Sequence, residues 1–205
     1  MVHSSNSGNR PLIPLSGLRA CVLSGGASER MGRDKALLPH PHGGVWLTAL
    51  VDQLIAVPLP VLVVSRHAEH RRLLQGRPQV DVMVESPPFA GPLRALAKVL
   101  QPEPGYPLLV TPVDMPALSS AVVLQLIHAW QRDPHCAAVA DDGQRLQPLL
   151  GIYPSGAPFA TALDLQLRQG ERRWLSWLAQ IPHQRVRLSA TALRNVNAPA
   201  DLSAL

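Results

Sequence analysis

Cysteine is scarce in this chain: Cys21 and Cys136 stand far apart, each inside an apolar segment. No C-x-x-C spacing exists, which excludes a zinc knuckle or a dithiol redox pair and places both thiols in the expected core. Aromatic residues make up only 4% of the sequence, leaving few platforms on which single-stranded bases could stack. The longest apolar stretch, Leu47 to Val64, is interrupted by Asp52, Pro58 and Pro60, so no transmembrane helix of roughly 18 residues is expected. Residues 1–17 are rich in Ser, Asn, Gly and Pro and lack a cationic start followed by an apolar core. The expectation is a loose, disordered N-terminal extension on a soluble, cytoplasmic protein.

Long charged blocks are absent too. Lysine and arginine number 19 against 14 acidic residues, a net charge of +5 with an isoelectric point near 10. Because these cations are scattered, a small polyanionic ligand is favoured over nucleic acid or an anionic membrane. Histidine offers little for a metal: His40 and His42 share a turn with no third ligand near them in sequence. What is present is a hydrophobic fraction of 46%, enough for a sizeable core, and residues 18–205 are read as one domain.

Apolar, β-branched runs alternate with amphipathic segments along that domain. Strands are expected at Leu18 to Leu23, Pro60 to Ser65, Val80 to Val84, Leu108 to Thr111, Cys136 to Ala140, Gln147 to Tyr153 and Arg185 to Leu188. Helices are expected at Val45 to Val57, His67 to Leu74, Leu93 to Leu100, a Ser119-capped run to Arg132, Pro158 to Leu167 and Arg172 to Ile181. This β-α-β-α order predicts an α/β fold, a three-layer αβα Rossmann-like sheet with ligands at the carboxyl ends of its strands. On the second helix His70 reads as solvent-exposed, whereas His67 sits at a strand end where a ligand could reach it. Trp174 and Trp177, three residues apart, read as core.

The first strand runs into Leu23-Ser24-Gly25-Gly26-Ala27-Ser28-Glu29-Arg30-Met31-Gly32-Arg33-Asp34-Lys35. Neither G-x-G-x-x-G nor G-x-x-x-x-G-K-[ST] is present in it. Adjacent glycines still let backbone N–H groups curl into a nest that suits phosphate, and Arg30 and Lys35 add full charges to that cradle. Further on, Asp114 emerges beyond a central strand in Pro112-Val113-Asp114-Met115-Pro116, a hard oxygen donor suited to Mg²⁺ beside a triphosphate. Arg172 and Arg173 stand at an expected helix start, a seat for a second phosphate.

The loop pattern L-x-G-G-x-S-x-R-M-G-x-D-K resembles the signature of nucleotidyltransferases of the nucleotide-diphosphosugar transferase fold, and among them the molybdenum cofactor guanylyltransferase family. Further matches are Gly91-Pro92-Leu93, the D-x-P of Asp114, Gln147-Pro148-Leu149, Gly170-Glu171-Arg172-Arg173 and the closing Asn195-Val196-Asn197-Ala198-Pro199-Ala200-Asp201-Leu202. The resemblance implies a mostly parallel sheet with one antiparallel strand near the acceptor side. It implies a nucleotide held by Leu23, Ser24, Gly25, Gly26, Ser28, Lys35, His67, Glu85, Gly91 and Asp114, with Mg²⁺ on Asp114. Glu85 could pair with the N1–H and exocyclic amine of guanine. The acceptor would meet Gln147, Arg172, Arg173, Asn195 and Asn197. Two positions depart from the family pattern: Ser65-Arg66-His67 where an asparagine is common, and Glu85 where Asp is common. Ala198 replaces a frequent Thr, removing a helix cap worth about 0.5–2 kcal/mol.

The activity so implied is transfer of GMP from GTP to the terminal phosphate of molybdopterin or its molybdenum form. Arg30, Lys35 and Asp114 would be the catalytic groups, and molybdoenzymes or their chaperones candidate recipients of the product. The acceptor phosphate is already ionised, which accounts for the missing nucleophile triad. Two other readings stay open. One is the same chemistry with another base or acceptor, a molybdopterin cytidylyltransferase or a sugar-phosphate nucleotidyltransferase; the other is a non-catalytic carrier of the finished cofactor.

Overall fold

The computed structural model describes residues 17–26, 32–85, 91–100, 105–197 and 200–201. Seven strands, β1 (Arg19–Leu23), β2 (Val61–Ser65), β3 (Val80–Val84), β4 (Leu108–Pro112), β5 (Ala137–Asp141), β6 (Leu146–Tyr153) and β7 (His183–Arg187), form one sheet in the order β3-β2-β1-β4-β6-β5-β7. Between them run helices α1 (Trp46–Ala56), α2 (Ala68–Leu74), α3 (Pro92–Val99), α4 (Ser120–Arg132), α5 (Phe159–Arg168) and α6 (Trp174–Leu178). Strand β6 runs against both its neighbours, β4 and β5, while the remaining described pairs are parallel.

Successive side chains on a strand point to opposite faces, and the apolar strands divide accordingly. Ala20, Val22, Val61, Val63, Leu109, Ala138 and Ala140 pack with α1, α2 and α4. Cys21, Val64, Leu108, Val110, Ala137 and Val139 pack with α3, α5 and α6. Strands apolar on both faces need helices on both, which is why this sequence makes three layers rather than two.

Local chemistry sets the helix starts. The Ser119 hydroxyl accepts from the Val122 amide at 3.4 Å to begin α4. Pro92 opens α3, preceded by Gly91 at φ +90°, a backbone angle that a side chain would strain. The third helix start differs from expectation. Arg172 and Arg173 precede α6, because the Glu171 carboxylate accepts from the Arg173 amide (2.7 Å) and Gln166 Nε2 donates to the Arg173 carbonyl (3.0 Å), holding this link out of the helix. Cys21 lies in the core as expected, but Cys136 is half-buried and sits just before β5. The expected tail up to residue 16 and the Ala198 position lie outside the described residues.

On the α5–α6 side an aromatic cluster carries much of the packing. Trp177 is fully buried, donates its indole N–H to the Phe159 carbonyl at 3.2 Å, and lies 5.1 Å from the Tyr153 ring and 5.8 Å from the Trp174 ring. Trp177→Ala is expected to lower stability by about 3–5 kcal/mol, read as a fall in the urea midpoint at unchanged slope; a loss below about 1 kcal/mol would show that this ring does not hold the layer.

Candidate active site

The strand order reverses beside β1: the chain runs outward to β2 and β3, then returns to β4 on the other flank of β1. Such a reversal opens a crevice beyond the carboxyl ends of the two central strands. A cavity of about 500 Å³ occupies that place. Leu23, Ser24, Gly25 and Gly26 reach it from β1, Asp114 from β4, Glu85 from the end of β3, and Gly91 from the start of α3; Asp34, Lys35, Leu149 and Asn197 are also on the wall. Thus most residues expected at the nucleotide meet in one cavity. Ser28 and Arg30 lie outside the described residues.

Lys35 begins a 3₁₀ turn, Lys35–Leu37, capped by the Asp34 carboxylate, which accepts from the Ala36 amide at 3.0 Å. Its ammonium donates to Asp114 Oδ2 at 3.1 Å and to Asn197 Oδ1 at 2.7 Å. The Val196 amide donates to the Asp114 carbonyl at 2.9 Å, stitching the C-terminal segment to the same turn. A Cβ added at Gly25 would overlap the buried Glu85 carboxylate, whereas one at Gly26 would meet nothing within 4 Å. The first glycine therefore admits Glu85, and the second leaves its backbone open to a ligand. Among the described residues no group of three or more His, Cys, Asp or Glu could hold a metal ion. Asp34, Glu85 and Asp114 all line the cavity; Asp34 is engaged by Ala36, His67 and His70 and Glu85 packs against Gly25, so Asp114 is the carboxylate that fits a Mg²⁺ keeping most of its waters.

His70 contradicts its expected exposure: it is fully buried and belongs to a network that the sequence did not reveal. Asp34 Oδ2 lies 2.9 Å from His70 Nε2 and 3.4 Å from His67 Nε2. A carboxylate can only accept, so Nε2 of His70 donates to Asp34, while its Nδ1 is hydrogen-bonded to the Ser65 hydroxyl at 2.7 Å. Ser24 Oγ, on the glycine loop, lies 3.4 Å from the same Nδ1. Burial raises the Asp34 carboxyl, but the hydrogen bond and charge of His70, the Ala36 amide and His67 outweigh it, holding Asp34 below its ordinary value. Burial also depresses the His67 imidazole against the pull of Asp34. His67 caps α2 and contacts Asp34 without lining the cavity.

The residues expected at the acceptor separate into two groups. Asn197 lines the cavity, and its near neighbour Asn195 donates from Nδ2 to Gln147 Oε1 at 3.3 Å, although neither Asn195 nor Gln147 lines it. Arg172 and Arg173 are exposed and do not line it.

The chain is similar to known proteins in sequence and in fold. A model of the MobA-like NTP transferase domain matches residues 20–185. The chain is 41% identical over 195 residues to a probable molybdenum cofactor guanylyltransferase of Rhodopirellula baltica, covering 92% of this chain and 90% of that one. It is 34% identical over 196 residues to a protein of the same name from Synechococcus elongatus, covering 91% and 96%. Its fold is similar to that of molybdopterin-guanine dinucleotide biosynthesis protein A from Archaeoglobus fulgidus, with a TM-score of 0.71, 20% identity, and coverage of 91% of this chain and 95% of that one.

The network under the glycine loop makes a prediction in acid. Asp34 is depressed in the folded state, so its contribution is complete above its unfolded pKa of about 3.9 and is lost as pH falls from there through the folded value. His70→Ala removes its main partner and is expected to cost about 1–3 kcal/mol near neutrality. The same substitution should shrink the extra loss that the wild type suffers below about pH 4. Urea titrations at about pH 7 and pH 3 check both, and equal acid sensitivity of the two proteins would contradict this account of Asp34.

Proposed function

The chain belongs to the MobA-like NTP transferase family, and on that premise we propose that it transfers GMP from GTP to the terminal phosphate of molybdopterin or its molybdenum form, yielding the guanine dinucleotide cofactor and pyrophosphate. The observation that carries the reading is the meeting of Lys35 with Asp114 at 3.1 Å on the wall of a cavity large enough for a nucleotide.

An oxygen of the acceptor phosphate attacks the α-phosphorus of GTP, and the bond to the bridging oxygen breaks as pyrophosphate leaves. That nucleophile is ionised at neutral pH, so the protein must align two anions and relieve their repulsion rather than remove a proton. The open backbone at Gly26 and the Lys35 ammonium would hold the phosphates, with Arg30 as a second cation of the same cradle. Asp114 would hold a Mg²⁺, which neutralises charge on the α-phosphate and the departing pyrophosphate when bound. Glu85, packed behind Gly25, is the carboxylate proposed for the N1–H and amine of guanine. Gln147, Asn195 and Asn197 would face the acceptor; Arg172 and Arg173 stand off the cavity and take no part in this scheme. No helix among the described residues is long and apolar enough to cross a membrane. The reading sets the reaction in the cytoplasm, with molybdoenzymes or their chaperones receiving the product.

Lys35→Ala and Asp114→Ala are each expected to lower turnover about a hundredfold or more at saturating GTP, since one lost preorganised contact costs about 2.7–4 kcal/mol. Near wild-type turnover in either variant would contradict the roles given to them. Thermal shifts with GTP, CTP and UTP, each with Mg²⁺, test the base: selective stabilisation by GTP is expected, and a preference for CTP would replace guanine by cytosine in the reading.

A further inference from the structure

Strands β5 and β6 change register partway along. Ala138 pairs with Ile152 and Val139 with Gly151, but Ala140 pairs with Gln147, so Pro148, Leu149 and Leu150 bulge from the ladder. The bulge brings Leu149 to the cavity and leaves Gln147 beside the Asp141-Asp142-Gly143 turn. There Asp142 Oδ1 accepts from the amides of Gln144 (2.8 Å) and Arg145 (3.0 Å), and Oδ2 accepts from Gln147 Nε2 at 2.8 Å. Arg145 Nε lies 3.7 Å from the same Oδ2. Those two backbone amides, then the Gln147 side chain, draw the Asp142 carboxyl down to about 2. Gln147 Oε1 accepts in turn from Asn195 Nδ2 at 3.3 Å.

An ionised carboxylate has no proton to give, so it dictates the direction of every bond downstream. Gln147 must turn its NH₂ to Asp142 and its oxygen to Asn195. Asn195 must then turn its NH₂ to Gln147, which leaves its Oδ1 with no hydrogen bond among the described residues, two positions from Asn197 on the cavity wall. We propose that Asp142 is a positioning residue that sets the amide polarity of Gln147 and Asn195, so that Asn195 meets the acceptor substrate as a hydrogen-bond acceptor and selects an N–H edge such as that of a 2-amino-4-oxo pterin ring. The proposal rests on the reading of Gln147 and Asn195 as acceptor contacts.

The test reads affinity for molybdopterin, as its KM and independently by calorimetry, beside the KM for GTP. Asp142→Asn keeps an oxygen for the turn amides but places an N–H group where Oδ2 stood, so Gln147 and Asn195 invert. The molybdopterin KM is then expected to rise at least about tenfold, with the GTP KM within about twofold. Adding Gln147→Glu to that variant restores an acceptor-only group beside Asn195, and affinity should return to within about threefold of wild type. Gln147→Lys pairs with Asp142 yet cannot accept from Asn195, so it should lose affinity with the turn intact; it also decides the question if Asp142→Asn does not fold. A Gln147→Lys protein with wild-type affinity for molybdopterin overturns the relay, as does a double variant as weak as Asp142→Asn or an equal loss for GTP and molybdopterin. A wild-type protein that binds molybdopterin but transfers CMP removes the guanine reading alone, because the relay is read on molybdopterin affinity and the nucleotide KM, for whichever nucleotide is used, serves only as the control.

Discussion

An ammonium shared between a carboxylate and an amide closes the rim of this sheet. Lys35 binds Asp114 and Asn197 at once, and so ties together the turn after the glycine loop, the end of β4 and the C-terminal segment. The side chains of Lys35 and Asp114 are 13% and 22% exposed, neither in bulk water nor in a dry interior. At an effective dielectric near 20 their attraction is on the order of 5 kcal/mol, most of it offset by desolvation. A pair that is strong in gross terms and weak in net terms holds the cavity assembled while remaining exchangeable. On the proposed reading, a triphosphate, carrying more negative charge than one carboxylate, would draw the ammonium toward itself and leave Asp114 for a cation.

The fold matters to this exchange because it fixes where the partners emerge. Leu23 of β1 is in register with Pro112 of β4. The glycine loop and the Asp114 turn therefore leave the sheet side by side, as parallel neighbours must. The third partner arrives by a different route. Val196 is fully buried against Leu38 and Trp46, and its amide bonds to the Asp114 carbonyl. One apolar anchor thus seats two asparagines with separate tasks, Asn195 toward Gln147 and Asn197 toward Lys35.

Much of this was legible in the sequence, and the exceptions share a cause. The layers follow from strands apolar on both faces, Lys35 and Asp114 from loops beyond strand ends, and Asn197 from the resemblance of the closing Asn195-Val196-Asn197 segment. His70 was not legible: flanked by Glu69, Arg71 and Arg72, it reads as part of a solvated helical face. Its burial is tolerable only because Asp34 and Ser65 satisfy both ring nitrogens, and Asp34 is 36 residues away. Asp142 likewise reads as a simple turn former in Asp141-Asp142-Gly143. Its contact with Gln147 depends on a register shift between Val139 and Ala140 that no local pattern announces. The Arg172–Arg173 motif does stand at a helix start, but as the extended N-cap and the residue before it rather than as the first turn, with the Arg173 backbone bonded to Glu171 and Gln166. Local periodicity specifies elements, and long-range hydrogen bonds decide which polar side chains those elements can hide.

The two adjacent glycines show how a motif can be right for incomplete reasons. Both were read as shaping an amide nest for phosphate, yet only Gly26 has open space where a side chain would stand. At Gly25 that space holds the Glu85 carboxylate, carried in from the end of β3 by the Glu85 amide bonding to the Ser65 carbonyl at 2.9 Å. A side chain at 25 would therefore displace the carboxylate before it touched any nucleotide. The demand for glycine at this position comes from the neighbouring strand as well as from the ligand, and it couples the phosphate end of the cavity to the end proposed for the base. A loop needing only its own curl could accept alanine at 25 with its surroundings unchanged; here alanine would oblige the end of the Glu85 side chain to move.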